Sequence, residues 1–392
     1  MTRSIAAAGA FVVSLDSMVN IAFPAIATAF ALPPEAMRWV IMCYVFTYAV
    51  LSFVAGALAD RVGHARVFTI GLVFTALAFA VATSAPSFGW LLGARVLQGI
   101  GAGMIYGTAP GITTLAAAAA RGRAIGSLNA AMAVAFAIGP IVAGALVKSI
   151  GWRAVFGARL PVAVAVLAWA WRGLPPMAMA AGYRKFAIGD LARVPVLHAC
   201  TLSFLANAGI FAIWLLAPFY LVQHRGYDAF TGGLLFMLTP LGTALAAPLA
   251  GRLADRLSAR SPSVIGLAIE AGGLLLLSRA TRATSVVAVA AALFASGFGL
   301  GLFQVPNMST VMSAFPAGQQ GAAGGLAFMA RTLGVVSGVA ALSHVFASRA
   351  SGFEAGFAAA LLMAVGAVAV AGVGAWVPVE AVAARTSGRR PV

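Results

Sequence analysis

Apolar runs of about twenty residues recur from one end of this chain to the other. A helix rises about 1.5 Å per residue, so each run can cross a hydrocarbon layer about 30 Å thick. Backbone amides in such a layer find no water, so the runs must be helices and not strands. Only 9% of the 392 residues are charged, against about a quarter in soluble proteins. The chain therefore reads as an all-α membrane protein.

Twelve runs can be placed, near 5–31, 39–58, 67–84, 89–112, 124–147 and 154–171, then 195–222, 230–251, 263–278, 285–306, 320–346 and 355–377. The first follows Arg3, but it is too long for a cleaved signal and carries Asp16 in its middle, so it is expected to be retained.

The formal net charge of +16 invites a nucleic-acid reading, yet no basic soluble domain is present. With the N-terminus in the cytoplasm, the inner segments hold about twice as many Lys and Arg as the outer ones. The excess therefore sets orientation and meets anionic lipid. Cys43 and Cys200 fall inside spans and read as small packing residues. The four histidines are scattered, so no metal site is expected.

A charged turn is written twice. "GALADRVGHAR" starts at Gly56 and "GRLADRLSAR" at Gly251, half a chain apart. Each follows the second span of a six-span set. Six spans return the chain to the same membrane face, so the halves form a parallel repeat. This predicts two six-helix bundles, at 1–171 and 195–378, a cytoplasmic linker at 172–194 and a cytoplasmic tail at 379–392.

These turns resemble the signature G-x-L-A-D-R-x-G-R-K of the major facilitator superfamily. Gly56, Asp60, Arg61 and Gly63 match, with His64 and Ala65 in place of the basic pair and Arg66 one place later. The second copy keeps Gly251, Asp255 and Arg256. "RVLQGIGAG" resembles the superfamily's fourth-span motif through Arg95 and Gln98. The fifth span resembles its antiporter motif through Gly139, Pro140 and Gly144, with two alanines in place of glycines. "LDSMVNIAFPAI" and "WRAVFGARLP" are similar to segments of its drug:proton antiporter branch, except that Arg159 stands where that branch has asparagine. That branch usually carries fourteen spans. The resemblance implies alternating access between two bundles, with Gly56, Asp60, Arg61, Gly63, Arg66, Gly251, Asp255, Arg256, Gly139, Pro140 and Gly144 in gating and conformational change.

A charge inside a span is expensive and usually faces a cavity or a partner. Asp16 is the leading candidate for proton coupling, with Arg95 as its counter-charge. Asn20, four residues on, shares its helical face. Arg159 lies near a span end and is expected to snorkel to the interface. Glu270 reads as packing or an interface. The resemblance puts Asn20, Tyr44, Gln98, Tyr106, Asn129, Met132, Asn207, Phe211, Trp214, Phe236, Gln304, Asn307 and Arg331 on cavity helices. Such a lining is mainly apolar with few hydrogen-bonding groups, which suits hydrophobic or amphipathic compounds.

The expectation is a secondary transporter that exports such compounds in exchange for protons. No cofactor is expected beyond the proton gradient. Its partners are small-molecule substrate, protons and membrane lipid, with no nucleic acid. It is expected to be a monomer in a bacterial inner membrane, with both termini cytoplasmic. An importer or facilitator of one metabolite is the alternative. A membrane enzyme is disfavoured, because no HExxH, paired carboxylates within a span or nucleophile–base set is found.

Overall fold

A computed structural model of the chain describes residues 1–32, 36–116, 121–175, 193–227, 229–256, 258–347 and 352–377. Residues 176–192 and 378–392, which hold most of the expected linker and the tail, lie outside the described residues.

Among the described residues, twelve helices are long and apolar enough to cross a membrane. They are α1 (Thr2–Phe23), α2 (Trp39–Val62), α3 (His64–Thr83), α4 (Phe88–Leu115), α5 (Arg121–Ser149) and α6 (Arg153–Gly173). Then follow α7 (Val194–Ala217), α8 (Thr231–Ala254), α9 (Arg260–Ser278), α10 (Val286–Ser313), α11 (Gln320–Phe346) and α12 (Phe353–Trp376). Each coincides with one of the twelve apolar runs. The faces left open are apolar, as at Phe46, Leu77, Val287 and Val373, which suits contact with lipid tails.

The repeat is visible in local detail. Ser87 and Ser285 each cap a helix start by accepting a backbone N–H three residues on, at 3.3 and 3.2 Å. The helices they start, α4 and α10, each carry an internal proline, Pro110 and Pro306. In the first half, Gly71 of α3 and Gly101 of α4 bring two backbones together, and Gly266 of α9 and Gly299 of α10 do the same in the second. Small residues permit such crossings, which polar-free lipid tails do not otherwise enforce. In both halves the fourth helix packs on the first three.

The chain divides into two compact units. Unit 1 holds 1–119, 131–184 and 315–329, and unit 2 holds 120–130, 185–314 and 330–392. The first turns of α5 and α11 thus belong to units other than those the sequence boundaries would assign. Glycines are the reason. A β-carbon on Gly126 would come within 2.6 Å of the Ala247 carbonyl oxygen, inside unit 2. Within unit 1, Gly321 abuts the Gly56 backbone.

Candidate functional site

Two helix interruptions build the site in unit 1. In α1 the α-helical segments Thr2–Ser14 and Met18–Ala29 are separated by a 3-10 turn, Leu15–Ser17. A tighter turn inside a long helix re-aims side chains and often marks a functional position. This turn carries Asp16. In α6, the segments Arg153–Gly157 and Arg159–Gly173 are separated at Ala158, which puts Arg159 at a new helix start.

Arg95 of α4 reaches Asp16 with both ends of its fork. Nη1 donates to Oδ1 at 2.6 Å and Nη2 to Oδ2 at 2.7 Å. Its Nε donates to the Val40 carbonyl of α2 at 2.9 Å, which fixes the plane of the guanidinium. Gln98, one turn along α4, donates to Asp16 Oδ1 at 2.9 Å and accepts from Arg95 Nη1 at 2.6 Å. The Tyr44 ring lies 4.3 Å under the Arg95 guanidinium. Tyr44, Tyr48 and Tyr106 then form a chain of ring contacts that ends on Phe328. Ser14 and Tyr106 share a hydroxyl hydrogen bond of 3.0 Å.

Arg159 departs from its expected snorkelling role. It is 1% exposed and donates from Nη1 to Asp16 Oδ1 at 3.1 Å. Its Nε donates to the Val155 carbonyl at 3.0 Å. The rings of Phe79 and Phe156 lie against its guanidinium, at 4.5 and 5.0 Å. The break at Ala158 turns the side chain inward, where a continuous helix end would let it reach the interface. The departure from asparagine set this position apart in the sequence without showing which way the side chain turns.

The fifth span joins the same place. A β-carbon on Gly139 would meet Met18 Cγ at 3.2 Å and Met18 N at 3.3 Å, and Ser17 Oγ closer still. Only glycine lets α5 lie this close to the turn that holds Asp16. Gly144 has nothing within 4 Å of such a carbon, so close packing does not extend to it. Pro140 lies inside the uninterrupted α5 helix.

Unit 2 gathers a second group. Gln304 of α10 donates to Asn207 of α7 at 3.0 Å, and Asn207 donates to the Ser203 carbonyl at 2.8 Å. Phe211 stacks on Trp214 at 6.3 Å between ring centres, and Trp214 meets Phe236 edge to face at 5.0 Å. Asn307 donates to the Ala199 carbonyl at 3.0 Å. Asn129 is spent on its own helix, donating to the Ile125 carbonyl at 3.0 Å. Met132 is buried in unit 1, Arg331 is half-buried on α11 and Asn20 is exposed. None of these three takes part in the hydrogen bonds that hold Asp16. Glu270 of α9 is fully buried within unit 2, and among the described residues neither carboxylate oxygen has a hydrogen-bond partner.

The model of the Major Facilitator Superfamily matches residues 5–339. The chain belongs to that superfamily. Its relatives include the multidrug resistance protein Stp of Mycobacterium tuberculosis, 28% identical over 404 aligned positions that take in 87% of this chain and 74% of the relative. The riboflavin transporter RibZ of Clostridioides difficile is 25% identical over 399 positions, 86% of each chain. The crystal structure of the human organic anion transporter MFSD10 superposes with a TM-score of 0.77 at 17% identity, covering 95% of this chain and 98% of that one. That likeness is one of fold. The superfamily is one of transporters, and with its twelve apolar helices the chain is an integral membrane protein.

The superfamily's signature turn closes α2. Gly63 has φ +100°, a conformation that favours glycine, and it both ends α2 and starts α3. Asp60 is buried and accepts the backbone N–H groups of Gly321 and Ala322, each at 2.8 Å. These are the unpaired amides of the first turn of α11, where a carboxylate is well placed. His64 Nε2 stands 3.3 Å from Asp60 Oδ1. Arg61 and Arg66 are exposed. In the second copy, Gly251 lies against Gly122, Arg256 is exposed, and the Asp255 side chain is outside what is described.

Proposed function

We propose that this chain exports small hydrophobic or amphipathic compounds in exchange for protons, with Asp16 as the proton carrier. One observation carries the reading. The antiporter-motif glycine, Gly139, packs on the very turn that bears the half-buried Asp16 carboxylate. A motif associated with exchange and a titratable group in the span interior are thereby one mechanical unit.

The proposed cycle is built on these contacts. With the Arg95 fork closed, Asp16 is ionised and paired. Opening the fork toward one side of the membrane exposes the carboxylate to a proton. A change of access then carries the proton across, and closure of the fork releases it. Asp60 holds the start of α11 in one state of this cycle and lets go in the other. The aromatic series at Phe211, Trp214 and Phe236, with the Asn207–Gln304 amides beside it, offers apolar surface with few directional donors. Such a lining supports broad selection among apolar guests. The drug-resistance relative supports the same reading.

The riboflavin transporter among the relatives favours a second reading, transport of one metabolite. For either reading we propose a monomer in a bacterial plasma membrane with both termini in the cytoplasm. Proteoliposomes with an imposed pH gradient distinguish the two. Extrusion of several unrelated lipophilic dyes, ethidium among them, supports exchange-driven export. Movement of riboflavin alone, down its own gradient and indifferent to pH, supports the second.

A further inference from the structure

Arg159 is the side chain of unit 1 that proton exchange at Asp16 leaves unexplained. Its Nε and Nη1 are committed to Val155 and Asp16. Its Nη2 has no hydrogen-bond partner among the described residues, although the side chain is 1% exposed. A charged donor shut away from water and left unmet is costly, so the site is short of an acceptor.

The charge count agrees. Arg95 and Arg159 share one carboxylate, which leaves the cluster at +1. Gln98 and the phenols of Tyr44, Tyr48 and Tyr106, which surround it from α4 and α2, bring no charge. Among the described residues no second acid pairs with either arginine. Protonation of Asp16 would take the cluster to +2 around two arginines that are 2% and 1% exposed, where isolated charge is hardest to hold. The asparagine that the drug:proton antiporter branch carries at the Arg159 position would leave +1 in that step.

We propose that Nη2 of Arg159 binds a small monovalent anion of the halide class, chloride in a cell, which enters together with the proton taken up by Asp16. One nitrogen walled by two phenylalanine rings suits a spherical, single-charge ion. Carboxylates and phosphates call for several donors in a fork. The anion supplies the missing acceptor and keeps the cluster at +1 when Asp16 becomes neutral. The anion site stands on the orphaned guanidinium nitrogen alone. Its link to the proton rests on the reading of Asp16 as the carrier.

The test is equilibrium binding of radiolabelled chloride to the purified full chain in detergent, in gluconate buffer, at acidic and at mildly alkaline pH. It needs no transport substrate, so its failure is separate from failure of the transport reading. Wild-type protein is expected to bind chloride at least about tenfold more tightly at acidic pH. Asp16→Asn, a permanently neutral carrier, is expected to bind tightly at both pH values. Arg159→Asn is expected to lose the site, with its thermal unfolding in gluconate reporting that it is folded. Should that variant not fold, wild type against Asp16→Asn still decides. Absence of chloride binding above the gluconate background in both would overturn the site. Undiminished binding by folded Arg159→Asn would place the ion elsewhere and overturn it too. A pH dependence that survives in Asp16→Asn would sever the link to the proton.

Discussion

Arg95 grips Asp16 through two parallel hydrogen bonds, of 2.6 and 2.7 Å, across the interior of one helical unit. The fork geometry matters as much as the charge, because a guanidinium presents two donors to two oxygens. Arg95→Lys keeps the charge and loses the fork. Proton-linked flux is expected to fall at least about tenfold with folding retained, the scale of one charge-assisted bond. Arg95→Ala removes the fork and leaves Asp16 paired with Arg159, and is expected to cost about 1–3 kcal/mol of stability. Thermal unfolding in detergent beside flux in proteoliposomes separates the two effects.

Glu270 gives a prediction of the opposite sign. Its carboxyl is fully buried with both oxygens unpartnered. Replacing an unmet polar group by an apolar one of similar size removes a desolvation cost of about 1–3 kcal/mol. Glu270→Met is expected to raise the unfolding temperature and leave flux intact. A lowered temperature would mean that the carboxyl has a partner.

The fold was legible in the sequence because its physics is one-dimensional. An apolar run must be about a membrane thick, and each of the twelve helices falls on such a run. The Asp16–Arg95 pair was legible for a related reason, since buried charges seek partners. Arg159 was not. Its direction depends on a break at Ala158, and nothing in its own composition distinguishes an inward arginine from one that snorkels. The grouping of the first turns of α5 and α11 was hidden too, because glycine crossings between distant segments leave no periodic trace. Asn20 read as a site residue by helical face, and Asn129 by its place on a cavity helix. One is exposed and the other is taken up by its own backbone.

Gly56 and Gly144 both belong to motifs, yet they differ in what surrounds them. A β-carbon on Gly56 would run into the Gly321 carbonyl, while Gly144 faces open space. Gly56→Ala is expected to destabilise by about 1–3 kcal/mol through overpacking. Gly144→Ala is expected to stay within about 0.5 kcal/mol of wild type or gain slightly from helix propensity. Paired unfolding curves check this, and equal effects would contradict the crossing.

Asp60 accepts two amides at the start of α11. Asp60→Asn keeps the size and removes the charge that strengthens both bonds. Amide hydrogen exchange at Gly321 and Ala322 is expected to quicken at least about tenfold, with other helix interiors unchanged. Unaltered protection at those two amides would mean that Asp60 does not hold the helix start.

The most direct measurement concerns the carrier itself. Purified wild-type and Asp16→Asn protein are reconstituted side by side, and an imposed pH gradient is used to drive ethidium across the membrane. The wild type is expected to move dye against its gradient and dissipate the proton gradient as it does so. The variant is expected to do neither, while its unfolding curve shows a folded protein. Gradient-driven movement at the wild-type rate by Asp16→Asn would contradict the account.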